Sequence, residues 1–238
     1  MGGAGVALTG DLWSAMRNPA LLSRSALSAS AVWQPGRYEL SALSSAGVAG
    51  ATRFGSFGIG AAVTHFGGEL YRELLPSVGF GMRVAEHISV GAQTSLLCIS
   101  IARYGGTALP LLDLGATVDI APTLLVAVAA GNVTHSALTG NITDRLPVTV
   151  RMGACWQPDD ALLLQLELDK DMRWPVTTRM GGEYRPLPFV AIRAGATTEP
   201  WTVSGGFGLR HGGIVFDYAY AWHPDLGGTH ALGIGIQP

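Results

Sequence analysis

The sequence predicts an all-β fold, a fourteen-stranded antiparallel transmembrane β-barrel with its apolar face outward and a short N-terminal plug in its lumen. Three observations lead there. Only 13% of the 238 residues are charged while 48% are hydrophobic, against about 25% charge in an ordinary soluble chain. From residue 26 onward the chain alternates with period two, large apolar side chains opposing small or charged ones. The connections between these runs are alternately tight and longer, as in barrels whose two termini lie on one side of a membrane.

The other membrane architecture is excluded because no window reaches the roughly 18 consecutive apolar residues of a spanning helix. The 33 glycines follow no Gly-X-Y period and are interleaved with strand formers, which excludes collagen and flexible linkers. A formal charge of -2 gives no basic field, so no nucleic-acid partner is expected. Cys98 and Cys155 sit in separate runs and the six histidines are scattered, so neither a disulfide framework nor a metal centre is expected, and no cofactor is called for. The opening Met1-Gly2-Gly3-Ala4-Gly5 lacks the basic and apolar regions of a secretory leader.

Residues 1–25 do not alternate. Asp11 is placed to cap a short helix over Leu12 to Arg17, which Pro19 would stop. The barrel is expected over 26–238, with strands near 26–34, 37–50, 53–65, 70–84, 87–103, 108–120, 123–131, 145–155, 161–169, 173–185, 188–197, 200–210, 213–223 and 228–237. The even-numbered turns are read as tight, around Gly50-Ala51-Thr52, Ala85-Glu86, Ala121-Pro122, Gln157 to Asp160, Arg185 to Pro188 and His211-Gly212. Odd-numbered connections are longer, the longest running from Asn132 to Asp144. The clearest lipid face is Ile214, Phe216, Tyr218, Tyr220 and Trp222, with Asp217 on the opposite side. Aromatic residues near strand ends, among them Trp33, Trp156, Trp174, Tyr184 and Trp201, fit two interface girdles.

The inward face changes character along the chain. Later strands carry Arg151, Glu167, Asp169, Arg179, Glu183, Arg185, Arg193, Arg210 and Asp217, setting Glu167 or Asp169 against Arg179 and Arg210 against Asp217. Such residues act either as a structural ladder or as a lining that sets selectivity. Early strands carry Ser28, Ser30, Ser56, Gly58, Gly60, Ala62, Ser89, Gly91, Gln93, Gly115 and Thr117, which leave room inside. Residues 1–25 are the available filling, with Arg17 expected to pair with Asp113, Asp119 or Asp217; the competing reading is a frayed tail. No nucleophile elbow or phosphate loop is present, and the trio Ser204, Asp217 and His223 is what alternation supplies by accident, so no enzyme is expected.

Met1-Gly-Gly-Ala-Gly-Val-Ala-Leu-Thr-Gly-Asp11, followed by Asn18-Pro19-Ala20, resembles the N-terminal signature of the FadL-like outer-membrane proteins, most closely the PorV/PorQ branch. Arg179-Met-Gly-Gly-Glu-Tyr-Arg-Pro186, Ile192-Arg-Ala-Gly195, Gly205-Gly-Phe-Gly-Leu209, Asp217-Tyr-Ala219 and Leu226-Gly-Gly-Thr-His-Ala231 are similar to the same branch. The resemblance implies a fourteen-stranded barrel in the bacterial outer membrane, with Asn18-Pro19-Ala20 in a lumenal hatch. It implies passive uptake of hydrophobic or small amphipathic solutes, or else a non-conducting PorV-like scaffold that meets partner subunits of a secretion or other outer-membrane complex. The chain departs from the pattern in its slim outer loops and in ending Gly235-Ile236-Gln237-Pro238 rather than on an aromatic residue.

Overall fold

In the computed structural model, which describes residues 1–136 and 146–237, the chain closes into a barrel of fourteen antiparallel strands. The strands are β1 Ser28–Gln34, β2 Ser45–Phe54, β3 Phe57–Gly67, β4 Tyr71–Ala85, β5 Ile88–Ile101, β6 Gly105–Ala121 and β7 Leu124–Gly131. They continue with β8 Thr149–Trp156, β9 Leu162–Asp171, β10 Thr177–Leu187, β11 Val190–Thr198, β12 Trp201–His211, β13 Ile214–His223 and β14 Gly227–Ile236. Each pairs with its sequence neighbours, and β1 closes the ring on β14 from Ala29 opposite Ile236 to Trp33 opposite Leu232. Closure leaves no edge strand, the condition for spanning a bilayer with strands. No helix of the described residues is long and apolar enough to cross a membrane.

The faces follow from the pleat. Outward positions expose large apolar groups, among them Val48, Phe80, Leu166, Ile192, Phe207 and Ile234. That is inverted relative to a water-soluble barrel and matches an apolar solvent. Inward positions are small in β2 to β7 and charged in β8 to β13, with Ala49, Ala51, Ala62, Ala127 and Ala129 buried on one side and Glu167 and Glu183 on the other. What buries them is the N-terminal segment: a helix α1, Leu12–Arg17, and a 3-10 turn, Pro19–Arg24, lie within the ring.

Several spans differ from the pattern reading, the second strand most. The second strand begins at Ser45, not 37, because residues 37–44 form a small bridged turn and a 3-10 turn, Ser41–Leu43. Its hairpin lies at Gly55-Ser56, where Gly55 takes φ +60; Gly50 and Ala51 are in the ladder opposite Ala61 and Gly60. A turn that needs the left-handed region settles on the glycine outside the paired run. β10 likewise starts at Thr177, leaving Trp174 and Val176 in the connection before it. Residues 137–145, in the longest predicted loop, lie outside the described residues.

Candidate functional site

The N-terminal segment is shaped by its own caps. Asp11 accepts the Ser14 amide at 2.7 Å and starts α1. Asn18 does two jobs while fully buried: its Oδ1 accepts the Ala20 amide at 3.2 Å, starting the 3-10 turn with Pro19 in the first position, and its Nδ2 donates to the Val6 carbonyl at 2.8 Å. The second bond folds residues 1–8 back against 18–24, so the segment reaches both halves of the wall.

On one half it seats against glycines. A Cβ on Gly91 would stand 2.6 Å from the Pro19 oxygen, and one on Gly115 would stand 3.0 Å from the Asn18 side-chain carbon and 3.1 Å from Pro19 Cδ. Only glycine allows the 3-10 turn this close to β5 and β6. Leu21 and Leu22 complete the contact with Ala49, Ala51 and Ala62. Arg24 closes it with a two-pronged pair to Asp119, 2.9 and 2.6 Å.

The other half has glycine seats as well, Gly181 under Met1 and Gly153 under Val6, but adds an electrostatic tie. Glu167, 1% exposed, accepts the Gly5 and Val6 amides at 2.7 and 2.8 Å on one oxygen and Arg17 at 2.7 Å on the other. A buried carboxylate is expensive unless its lone pairs are filled, and here donors of the segment itself fill them. Arg17 thus pairs with Glu167, not with Asp113, Asp119 or Asp217 as expected. Asp119 is taken by Arg24, Asp113 accepts the Asn132 amide, and Asp217 holds Arg193. Arg179 bridges Glu167 at 3.6 Å and Asp169 at 2.9 Å, and Arg151 reaches Asp169 at 3.5 Å. Glu183 receives Arg185 at 2.6 Å and Arg193 at 2.5 Å. Arg210 is not set against Asp217: the register puts Val215 opposite it, and it donates to Gln237 at 2.8 Å.

The outward residues of β13 divide. Ile214, Phe216 and Trp222 are exposed, whereas Tyr218 and Tyr220 are half-buried around His230, whose Nδ1 lies 2.8 Å from the Tyr218 hydroxyl. Ser204, Asp217 and His223 do not form a trio; each has other partners, namely the Gly2 amide, Arg193 and the amides of Asp225 and Leu226.

A feature missed by pattern reading lies in β4. Leu74 pairs with Cys98 and Ser77 with Ser95, yet the two intervening positions, Leu75 opposite Leu97 and Pro76 opposite Leu96, have no ladder pairing. Both require an N–H from residue 76, and proline has none. On the β3 side the ladder is intact, with Val63 opposite Pro76. A hollow of about 620 Å³ lies at this break, bordered by Val48, Val63, Val78, Leu96, Pro76 and Pro110. On the lumen side of the break Ser95 donates to Ser77 at 2.8 Å, so a side-chain bond joins the strands next to the missing pairings. The signal was in the sequence: a proline inside a strand is at home only at an edge or a bulge, and 70–84 reads as neither.

Two further cavities occupy the lumen. One of about 370 Å³ lies toward the longer connections and is bordered by Thr149, Asp169, Thr177, Arg179 and Glu199. One of about 380 Å³ lies toward the tight turns, between the N-terminal segment and β10 to β14. Among the described residues no cluster of His, Cys, Asp or Glu is arranged to hold a metal ion.

Solved structures share this fold. The chain superposes over 100% of its length on 96% of the CymD monoaromatic hydrocarbon channel, TM-score 0.73 at 13% identity. It covers 96% of the toluene transporter TbuX of Ralstonia pickettii (all of this chain, TM-score 0.68, 14% identity) and 94% of the toluene transporter TodX of Pseudomonas putida (99% of this chain, 0.70, 10%). A FadL homologue of Pseudomonas aeruginosa has the same architecture, at 13% identity and TM-score 0.66. The fold is that of the FadL-type outer-membrane channels. No protein-family model and no curated protein matches the sequence. No PorV or PorQ protein is among these likenesses, so the fold supports the wider FadL-like resemblance and not the finer branch.

Proposed function

We propose that this chain is a bacterial outer-membrane channel for passive uptake of small hydrophobic or amphipathic solutes, that residues 1–25 plug its axis, and that the solute leaves the lumen sideways between β4 and β5. The observation that carries this is the pairing lost at Pro76. An apolar solute gains nothing by passing the charged wall into water, whereas a gap between strands bordered by valines, leucine and proline leads it into the bilayer. A ladder hydrogen bond missing at one place also weakens the wall there against parting. The structural neighbours described as hydrocarbon channels and toluene transporters support the solute class.

The test is a reversible seal. Leu75→Cys with Leu97→Cys places two thiols at the unpaired register position, in a Cys98→Ser background. In liposomes, toluene uptake is expected to exceed that of protein-free vesicles, to fall when the pair is oxidised and to return on reduction. Uptake at the protein-free level would instead favour a non-conducting PorV-like scaffold, and uptake indifferent to the seal would remove the sideways route.

A further inference from the structure

The charged half of the lumen has a use that the sideways route leaves open. The two lumenal cavities, about 370 and 380 Å³, lie toward opposite ends of the barrel on the same side of it. Both are bordered by carboxylates and guanidinium groups. Each has room for several hydrogen-bonded waters. Residues bordering the two come together: Arg179 borders the outer cavity, Gly3 borders the inner one, and a Cβ on Gly3 would stand 3.8 Å from Arg179 Cδ.

Arg179 is held in that position from both sides, by Asp169 at 2.9 Å and Glu167 at 3.6 Å. Gly3 is held by Arg17, whose Nη1 donates to its carbonyl at 2.5 Å. We propose that β8 to β13 line a second, polar path for small hydrated ions, separate from the hydrophobic route and closed at a single constriction made by Arg179, Gly3, Arg17 and Glu167. Rings of facing acids and bases replace the hydration of a small ion step by step, which valine and leucine at the β4–β5 gap do not. The proposal does not depend on solute uptake, since the two routes share no bordering residue.

Arg179→Ala separates the constriction from the anchoring of the segment. It removes the side chain between the cavities but leaves Glu167 its bonds to Gly5, Val6 and Arg17. Asp169 keeps Arg151. With Arg179 gone, the outer cavity is bordered by Asp169, Asp171 and Glu199 and, among the described residues, by no guanidinium group, so the opened path is cation-selective. In planar bilayers in potassium chloride the variant is expected to raise the mean conductance roughly fivefold over the parent protein, with a reversal potential favouring potassium. Arg179→Lys, which still fills the gap with a cation, is expected to stay near the parent level.

Ala219 borders the inner cavity and supplies the locator. With the native Cys98 and Cys155 replaced by serine and alanine, Ala219→Cys treated with a positively charged thiol reagent is expected to suppress the added current. Without Arg179→Ala, the same cysteine is expected to react faster from the tight-turn side than from the other, and Arg179→Ala is expected to abolish that difference. Unchanged conductance, an added current insensitive to modification at position 219, or a reaction equally fast from both sides in the parent would each overturn the proposal. The side-dependence also decides the matter if Arg179→Ala fails to assemble.

Discussion

The two halves of the barrel wall hold one segment with different balances of shape and charge. β3 to β6 receive the 3-10 turn by having almost no side chains there, so contact is backbone against backbone. β9 and β10 receive residues 3–6 and Arg17 by presenting charge, concentrated on Glu167. The first tie is a matter of shape and changes little with salt or composition of the lumen. The second depends on ionic partners whose loss leaves charges buried. A segment attached in this way has a fixed part, Leu12 to Met16 packed with Asn18 to Arg24, and an end whose attachment is conditional, Gly3 to Val6.

The sharpest way to break this contrast is Glu167→Ala. It strands the Arg17 guanidinium and two amides, and breaking a buried pair from one side costs about 3–5 kcal/mol. Residues 3–6 should detach while Leu21 and Leu22 remain seated. Hydrogen exchange read peptide by peptide is expected to show protection lost at Gly5 and Val6 and retained at Leu21 and Leu22. Simultaneous loss at all four would mean that the segment is held as one unit. Adding Arg17→Met to Glu167→Ala removes the stranded cation, and partial recovery of protection is expected.

Gly91→Leu attacks the other half with a smaller expected effect. The new side chain meets the backbone of Pro19 and Ala20, which cannot rotate away, and overpacking of this kind costs about 1–3 kcal/mol. Here the order reverses: protection should fall first at Leu21 and Leu22, while exchange at Gly5 and Val6 follows only as far as the Asn18 to Val6 bond transmits the shift. A uniform response in both variants would erase the distinction between the fixed part and the conditional end.

Most of the wall could be read from the chain because a membrane barrel writes its two faces at alternate positions. The Leu162 to Leu168 run and the Val148 to Trp156 run each keep one oily parity, and counting such runs yields fourteen strands whose pairing is then nearly forced. Strand ends were less legible, since Gly50 and Gly55 are equally good turn residues and only pairing with β3 decides between them. The partners of Arg17 and Arg210 were out of reach for a different reason. Alternation says that a charge points inward, but which charge it meets depends on how deep the segment sits and on the barrel's circumference. Nothing local encodes either. Pro76 was legible as a broken rule, though its consequence needed the identity of the strand on its hydrogen-bonding side.

Sealing that break is a further test of how the small-residue half works. Pro76→Ala returns an N–H to the ladder facing Leu96 and is expected to stabilise the barrel by about 1 kcal/mol, the net worth of a typical hydrogen bond. Thermal unfolding in detergent should rise slightly while toluene uptake falls, an inverse relation that a purely structural proline would not produce. If both rise together, the gap is a flaw in the wall and not its exit.

Asp119→Asn is expected to have the smallest effect and is the most exacting test of the fixed part. Asp119 and Arg24 are 25% and 16% exposed, so water screens part of their attraction, and the pair is worth about 1 kcal/mol or less despite its two-pronged geometry. If the glycine seat is what holds residues 18–24, losing this pair leaves exchange at Leu21 and Leu22 within severalfold of the parent, because their burial against Ala49, Ala51 and Ala62 persists. If exchange there instead rises to the level seen in Glu167→Ala at Gly5 and Val6, charge governs both ends. The glycines would then be spacing that the segment fits, and the ion pairs alone would decide whether it stays.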